Sequence, residues 1–226
     1  MIAPVRQLRK RDVEWLGTNY CRHGHTFLEH YQCFTEEKPS DSPFEERVGY
    51  FDIEASNLSA NFGYVFSYCI LTDDYEVLGR VLRPKEIRNG TFDTKLMGEM
   101  CSDLRKFHRI VVHYGGDGRF DLPFVRTRSI KARADFPLFK EIYVSDLWRM
   151  CRNKLKLSSN RLETVCKFFG IESKTHPMNF DVWCKAMTGD AKSLDYIWQH
   201  NVEDSVSLKE AYALISPYSR KGKESI

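Results

Sequence analysis

The sequence predicts an α/β fold, a mixed β-sheet flanked by helices, preceded by a small Cys/His-rich helical extension. Three observations lead there. Three apolar, β-rich segments follow one another through short links, as hairpins do, and two later ones are separated by helical patterns, as crossovers require. Composition shifts near Glu46, after the polar stretch "TEEKPSDSPFEER". The chain has 226 residues, 42% of them hydrophobic, enough for one sizeable core. The expected division is 1–46 for the extension and linker, 47–218 for the main domain and 219–226 for a flexible tail.

The start, "MIAPVRQLRKRDVEWLG", is basic and helix-like and lacks the apolar region of a signal peptide. Next comes "CRHGHTFLEHYQC". Read as C-x3-H-x4-H-x2-C, its Cys21, His25, His30 and Cys33 offer four ligands to one tetrahedral zinc. His30 and Cys33 are three apart, so a helix would aim both at one ion. His23 could substitute for His25, and a metal-free histidine-rich hairpin is the plainer alternative.

"VGYFDIEAS" reads as the first strand, "GYVFSYCILTD" as a buried second and "EVLGRVL" as a third. From Thr94 to Phe107, Leu96, Met97, Met100, Cys101 and Leu104 recur at helical spacing. "RIVVHYG" is a fourth strand, and "DLPFVRTRSI" starts a helix with Pro123 in its first turn. "EIYVSDL" is a fifth strand. "SSNRLETVCKFFG" is a helix stopped by Gly170, with Leu162, Val165, Cys166 and Phe169 on one face. A last long helix runs from about Ser193 to Ile215. No apolar run is long enough to span a bilayer. Seven cysteines, an odd number, argue against a fully paired disulfide framework. A cytoplasmic setting, or a host's cytoplasm for a viral protein, is the default. The net charge of +3 neither requires nor excludes a nucleic-acid partner.

The acids carry the chemistry. Asp52 and Glu54 lie two apart in an apolar strand, so both side chains take one face while Phe51 and Ile53 take the other. Like charges on a core strand repel and are costly to desolvate, a cost that bound divalent cations remove. Asp121 follows a strand and a glycine-rich loop, at the mouth of the sheet where sites on open α/β sheets lie. Asp204 sits on the last helix, one turn after His200. Singly, each has a bland reading: an exposed acidic pair, a helix cap, a solvated helix residue.

Together, "FDIEAS", "RFDLPFVRTR" and "YIWQHNVEDSVSLKEAY", with "SNRLETVCKFFGI" between the last two, resemble the DEDD exonucleases of the ribonuclease H-like superfamily. The similarity runs from about Val48 to Tyr218 and is greatest to the branch of bacterial and phage predicted exonucleases. It implies a ribonuclease H-like sheet and a 3′–5′ exonuclease acting on nucleic acid, with single-stranded DNA or RNA 3′ ends as substrate. It further implies that Asp52, Glu54, Asp121 and Asp204 ligate two Mg²⁺ or Mn²⁺ ions, Asp52 bridging both. In that family the fifth residue is a tyrosine four before the last aspartate or a histidine five before it. Here His200 has the tyrosine's spacing and the histidine's chemistry, which makes it the expected base for the attacking water. The stretch "HYGGDG" departs from relatives that carry an asparagine before the second motif. Arg126 and Arg128, just after that motif, are candidates for phosphate contact. The rival reading is a binding module on the same fold, docking on nucleic acid or on a replication or repair protein with little catalysis. An endonuclease of the same superfamily is a third.

Overall fold

The computed structural model describes residues 8, 10–37, 46–171, 175–219 and 225–226. The chain divides into two compact units, Met1–Glu46 and Arg47–Ile226. In the first, α1 (Lys10–Thr18) and α2 (Tyr31–Glu37) bracket an irregular loop. Its core is small. Leu16, Cys21, Phe27 and Cys33 are buried, with Trp15 and Phe34 packed against them. The Trp15 ring stacks on Phe27 at 5.6 Å, and Phe34 meets Phe27 edge-on at 5.7 Å.

The second unit is built on a five-stranded sheet. In chain order its elements are β1 (Val48–Ala55), β2 (Val65–Leu71), β3 (Val77–Val81), α3 (Pro84–Arg88), α4 (Thr94–Leu104), β4 (Arg109–Val112), α5 (Asp121–Ala132), β5 (Tyr143–Asp146), α6 (Leu147–Lys154), α7 (Leu162–Phe169), α8 (Phe180–Met187) and α9 (Ala191–Ile215). The spatial order is β3-β2-β1-β4-β5. β1 pairs antiparallel with β2, and β2 with β3, through short links. β4 pairs parallel with β1, and β5 with β4, because α4 and α5 carry the chain back across the sheet between them. The expected mixed sheet is therefore observed. The short helices α3, α6 and α8 were not separately expected. α6 follows β5 without a loop, started by Asp146, whose side chain accepts from Trp148 N at 3.0 Å.

Every residue of β2 is buried, as its unbroken apolar run requires. All five periodic residues of α4 are buried too. α7 ends at Gly170, whose φ of 71° suits a residue without Cβ. Phe169 departs from the expected apolar face and is partly exposed. Most of the expected tail, 220–224, lies outside the described residues. Ser225 bridges Tyr143 at the sheet edge, and Ile226 donates its N–H to Ile142 O at 2.9 Å. No described helix is long and apolar enough to cross a membrane.

The alternation of β1 positions the site. Phe51 and Ile53 belong to the large core that includes Leu96 and Met100 of α4 and Val125 of α5. The even-numbered residues face α9: the Tyr50 ring meets Tyr212 at 5.9 Å, and Asp52 and Glu54 follow on the same face toward the C-terminal end of the strand. β1 extends past the end of its pairing with β4, which stops at Tyr50↔Val111. The loop after β4 and the start of α5 thus emerge beside the acidic end of β1.

Candidate active site

Three elements bring their acids together. From β1 come Asp52 and Glu54, from the first turn of α5 comes Asp121, and from the middle of α9 comes Asp204 with His200. His200 Nε2 lies 3.3 Å from Glu54 Oε1 and 3.4 Å from Asp204 Oδ2. One ligand atom from each of Glu54, His200 and Asp204 can be chosen so that all three lie within 4.8 Å of one another. Asp52 and Asp121 are outside that triad but close enough to feel it. Burial, then the charges of Asp204, Asp121 and Glu54, pushes the Asp52 carboxyl well above the usual carboxylate range, although a hydrogen bond from Asn201 pulls the other way. Burial, then Glu54, Asp146 and Asp204, does the same to Asp121.

Asp121 is not a helix cap. The cap position is Phe120, and Asp121 is the first helical residue. The residue is 5% exposed, and its Oδ2 is buried with no hydrogen-bond partner among the described residues. A buried carboxylate oxygen in that state is an acceptor awaiting a cation or a proton. Gly115 makes room for it: a Cβ there would sit 2.2 Å from Asp121 Oδ2. The donor set is therefore hard, anionic and crowded, as Mg²⁺ and Mn²⁺ require.

The orientation of His200 is fixed. Its Nδ1 lies 2.6 Å from His176 O, and since a carbonyl only accepts, Nδ1 carries the proton. Nε2 then points toward the carboxylates of Glu54 and Asp204. Glu203 holds the segment that supplies that carbonyl: its carboxylate accepts from Thr175 N and His176 N, both at 3.1 Å, and from the Thr175 hydroxyl, and it meets His176 Nδ1 at 2.7 Å.

Several of these residues have no sequence signature. Asn201, fully buried, donates to Asp52 Oδ2 at 2.6 Å. Asp146, at the end of β5, accepts from Tyr114 N at 3.0 Å and Gly116 N at 3.3 Å, shaping the glycine loop beside Asp121. Beside Glu54 runs a cleft of about 1000 Å³, lined by apolar residues that include Leu58, Phe120, Phe180 and Trp183.

The two arginines are placed differently from one another. Arg128 is buried; its guanidinium binds Asp93, with Nε 2.8 Å from Oδ2, and donates to Ala60 O at 3.1 Å. Asp93 also accepts from Val65 N, so this pair ties α5 to the start of β2 rather than reaching for phosphate. Arg126 pairs with Asp117 at 2.8 Å. In the first unit, Cys21, His30 and Cys33 converge as expected, but the fourth member is His23. The His25 ring packs edge-on against His30 at 5.5 Å and lies outside the ligand set. The tight turn at Gly24, φ 78°, separates the two histidines and selects the first.

Comparison with known proteins places these features in context. The family model described as RNase_H superfamily matches residues 49–216. Among solved structures, the chain is similar to the family B DNA polymerase from the hyperthermophilic archaeon Pyrobaculum calidifontis, with a TM-score of 0.61 and 15% identity over 80% of this chain. It spans only 26% of that polymerase's length, and at that identity the likeness is one of fold. No curated protein matches the sequence.

Proposed function

The chain belongs to the RNase_H superfamily, and on that premise we propose that it is a divalent-metal-dependent 3′–5′ exonuclease, hydrolysing phosphodiester bonds at the 3′ ends of single-stranded nucleic acid. The observation that carries the proposal is the meeting of four acids from three elements, two of which, Glu54 and Asp204, lie against a histidine whose Nδ1 is held on His176 O. Asp52, Glu54, Asp121 and Asp204 would hold two Mg²⁺ or Mn²⁺ ions, and the orphaned Asp121 oxygen supports that role. Bound there, the cations supply charge neutralisation and Lewis acidity toward the scissile phosphate.

The chain's own groups do the rest. His200 takes the proton of the attacking water at Nε2, its Nδ1–H held on His176 O. The carboxylates beside Nε2 stabilise the imidazolium that forms. Glu203 acts through His176 as a positioning residue. Asn201 keeps Asp52 in one rotamer. The apolar cleft beside Glu54 suits the faces of unpaired bases, with the exposed Phe180 as a stacking surface. A nucleic-acid substrate also agrees with the fold's likeness to a protein titled a DNA polymerase.

The test is an assay on 5′-labelled DNA and RNA oligonucleotides with Mg²⁺ or Mn²⁺. A ladder of products shortened from the 3′ end is expected with at least one substrate. Uncut substrate throughout, with binding retained, would leave the fold serving as a binding module.

A further inference from the structure

We propose that Cys21, His23, His30 and Cys33 bind one structural zinc ion that holds the N-terminal unit folded. The inference is independent of the nuclease reading, since it concerns only residues 10–37.

Geometry comes first. His23 Nδ1 lies 3.0 Å from Cys33 Sγ, and His30 Nδ1 lies 3.5 Å from Cys33 Sγ and 3.7 Å from Cys21 Sγ. One ligand atom from each of the four residues can be chosen so that all lie within 4.8 Å of one another. In a tetrahedral site with the usual zinc–sulfur and zinc–nitrogen bond lengths, sulfur and nitrogen ligands stand about 3.5 Å apart. The three separations seen here are close to that sulfur–nitrogen edge. One nitrogen shared between two sulfurs, with a second nitrogen on one of them, is a poor hydrogen-bond arrangement and a good coordination shell.

Local backbone structure presents the ligands. Gly24 N donates to Cys21 O at 2.9 Å, closing a turn that holds Cys21 and His23 on one side. Cys33 N donates to His30 O at 3.1 Å, so the start of α2 supplies the other pair. The pattern is C-x-H-x6-H-x2-C.

Energetics give the reason for a metal. Among the described residues of this unit, two of the four in the buried apolar cluster are the thiols themselves. At Met1–Glu46 the unit is close to the size, roughly 40 residues, below which a disulfide, a metal or a partner is usually needed to fold. Zinc binding would displace the two thiol protons and add its binding free energy to folding.

The experiment uses the full chain, purified from zinc-supplemented cells. Elemental analysis is expected to find one zinc per chain. A strong chelator should release it and expose two further thiols per chain to a thiol reagent. Co²⁺ added to the stripped protein should give the intense d–d absorption of a tetrahedral site with a thiolate charge-transfer band. His23→Ala and Cys33→Ser should lower zinc content by about tenfold or more, whereas His25→Ala should keep it. Wild-type protein that carries no zinc and gives no tetrahedral Co²⁺ spectrum overturns the proposal, whatever the variants do. So does a Cys21–Cys33 disulfide in freshly purified protein, or zinc lost in His25→Ala but kept in His23→Ala.

Discussion

Replacing Asp121 by asparagine should stabilise the metal-free protein while abolishing its activity. The substitution removes one negative charge and almost no volume. Asp121 is buried, its Oδ2 has no partner among the described residues, and Glu54, Asp146 and Asp204 all repel it. An unsatisfied buried acceptor costs about 1–3 kcal/mol, more when charged, and an asparagine amide could donate to the neighbouring carboxylates. Taking about 2 kcal/mol, at roughly 2–4 °C per kcal/mol for a domain of this size, the variant should melt roughly 4–8 °C above wild type in EDTA. Divalent metal should reverse the order. A ligand at a hundred times its Kd adds about 2.7 kcal/mol to the native state, and the variant, lacking a ligand oxygen, should gain little of it. Calorimetric melts in EDTA and in saturating Mn²⁺ measure both effects. The variant melting below wild type in EDTA, or gaining as much from Mn²⁺, would refute the reasoning. The same charges set a pH dependence. Asp52 and Asp121 have folded-state values raised above the unfolded carboxylate value, so in the window between them the native state binds more protons. Metal-free stability from these groups is therefore fully present below about pH 4 and lost as pH rises through the raised values, and Asp121→Asn should flatten that slope.

Other substitutions separate the roles of neighbouring residues. His200→Ala should lower kcat by about 10²–10⁴-fold with metal-induced stabilisation largely kept, as steady-state kinetics and melts would report; unchanged turnover would remove His200 from the chemistry. Gly115→Ala should cost at least about 100-fold in rate, because its Cβ would force Asp121 out of place. Unlike Asp121→Asn it should not stabilise the metal-free protein. Arg128→Ala should destabilise by about 3–5 kcal/mol, since it strands Asp93 in the interior. If denaturant melts of that variant match wild type while KM rises, Arg128 is a phosphate contact after all.

The parts of the fold legible in sequence are those written by local periodicity. Phe51 and Ile53 alternate with Asp52 and Glu54, and α4 repeats its apolar residues at helical spacing, so the faces of both could be read directly. The acids had bland readings singly and were legible only as an ordered set, Asp52 and Glu54, then Asp121, then Asp204, that resembles a family site. What escaped is long-range pairing. Asn201 and Asp52 are 149 residues apart, and nothing near Asn201 marks it. Glu203 reads as one more exposed helix carboxylate until the 175–176 segment folds onto it. Arg128 reads as a candidate phosphate contact until it meets its buried partner, Asp93, 35 residues upstream. His23 and His25 could not be ranked by spacing, because the turn at Gly24 decides between them.

The most direct comparison is of wild type and Asp204→Asn acting on a 5′-labelled linear single strand and on a single-stranded circle, with Mn²⁺ present. A 3′–5′ exonuclease reading requires stepwise shortening of the linear strand from its 3′ end by wild type, no product from the variant, and an intact circle. Cleavage of the circle, equal activity in the variant, or no product from wild type on either DNA or RNA would contradict it.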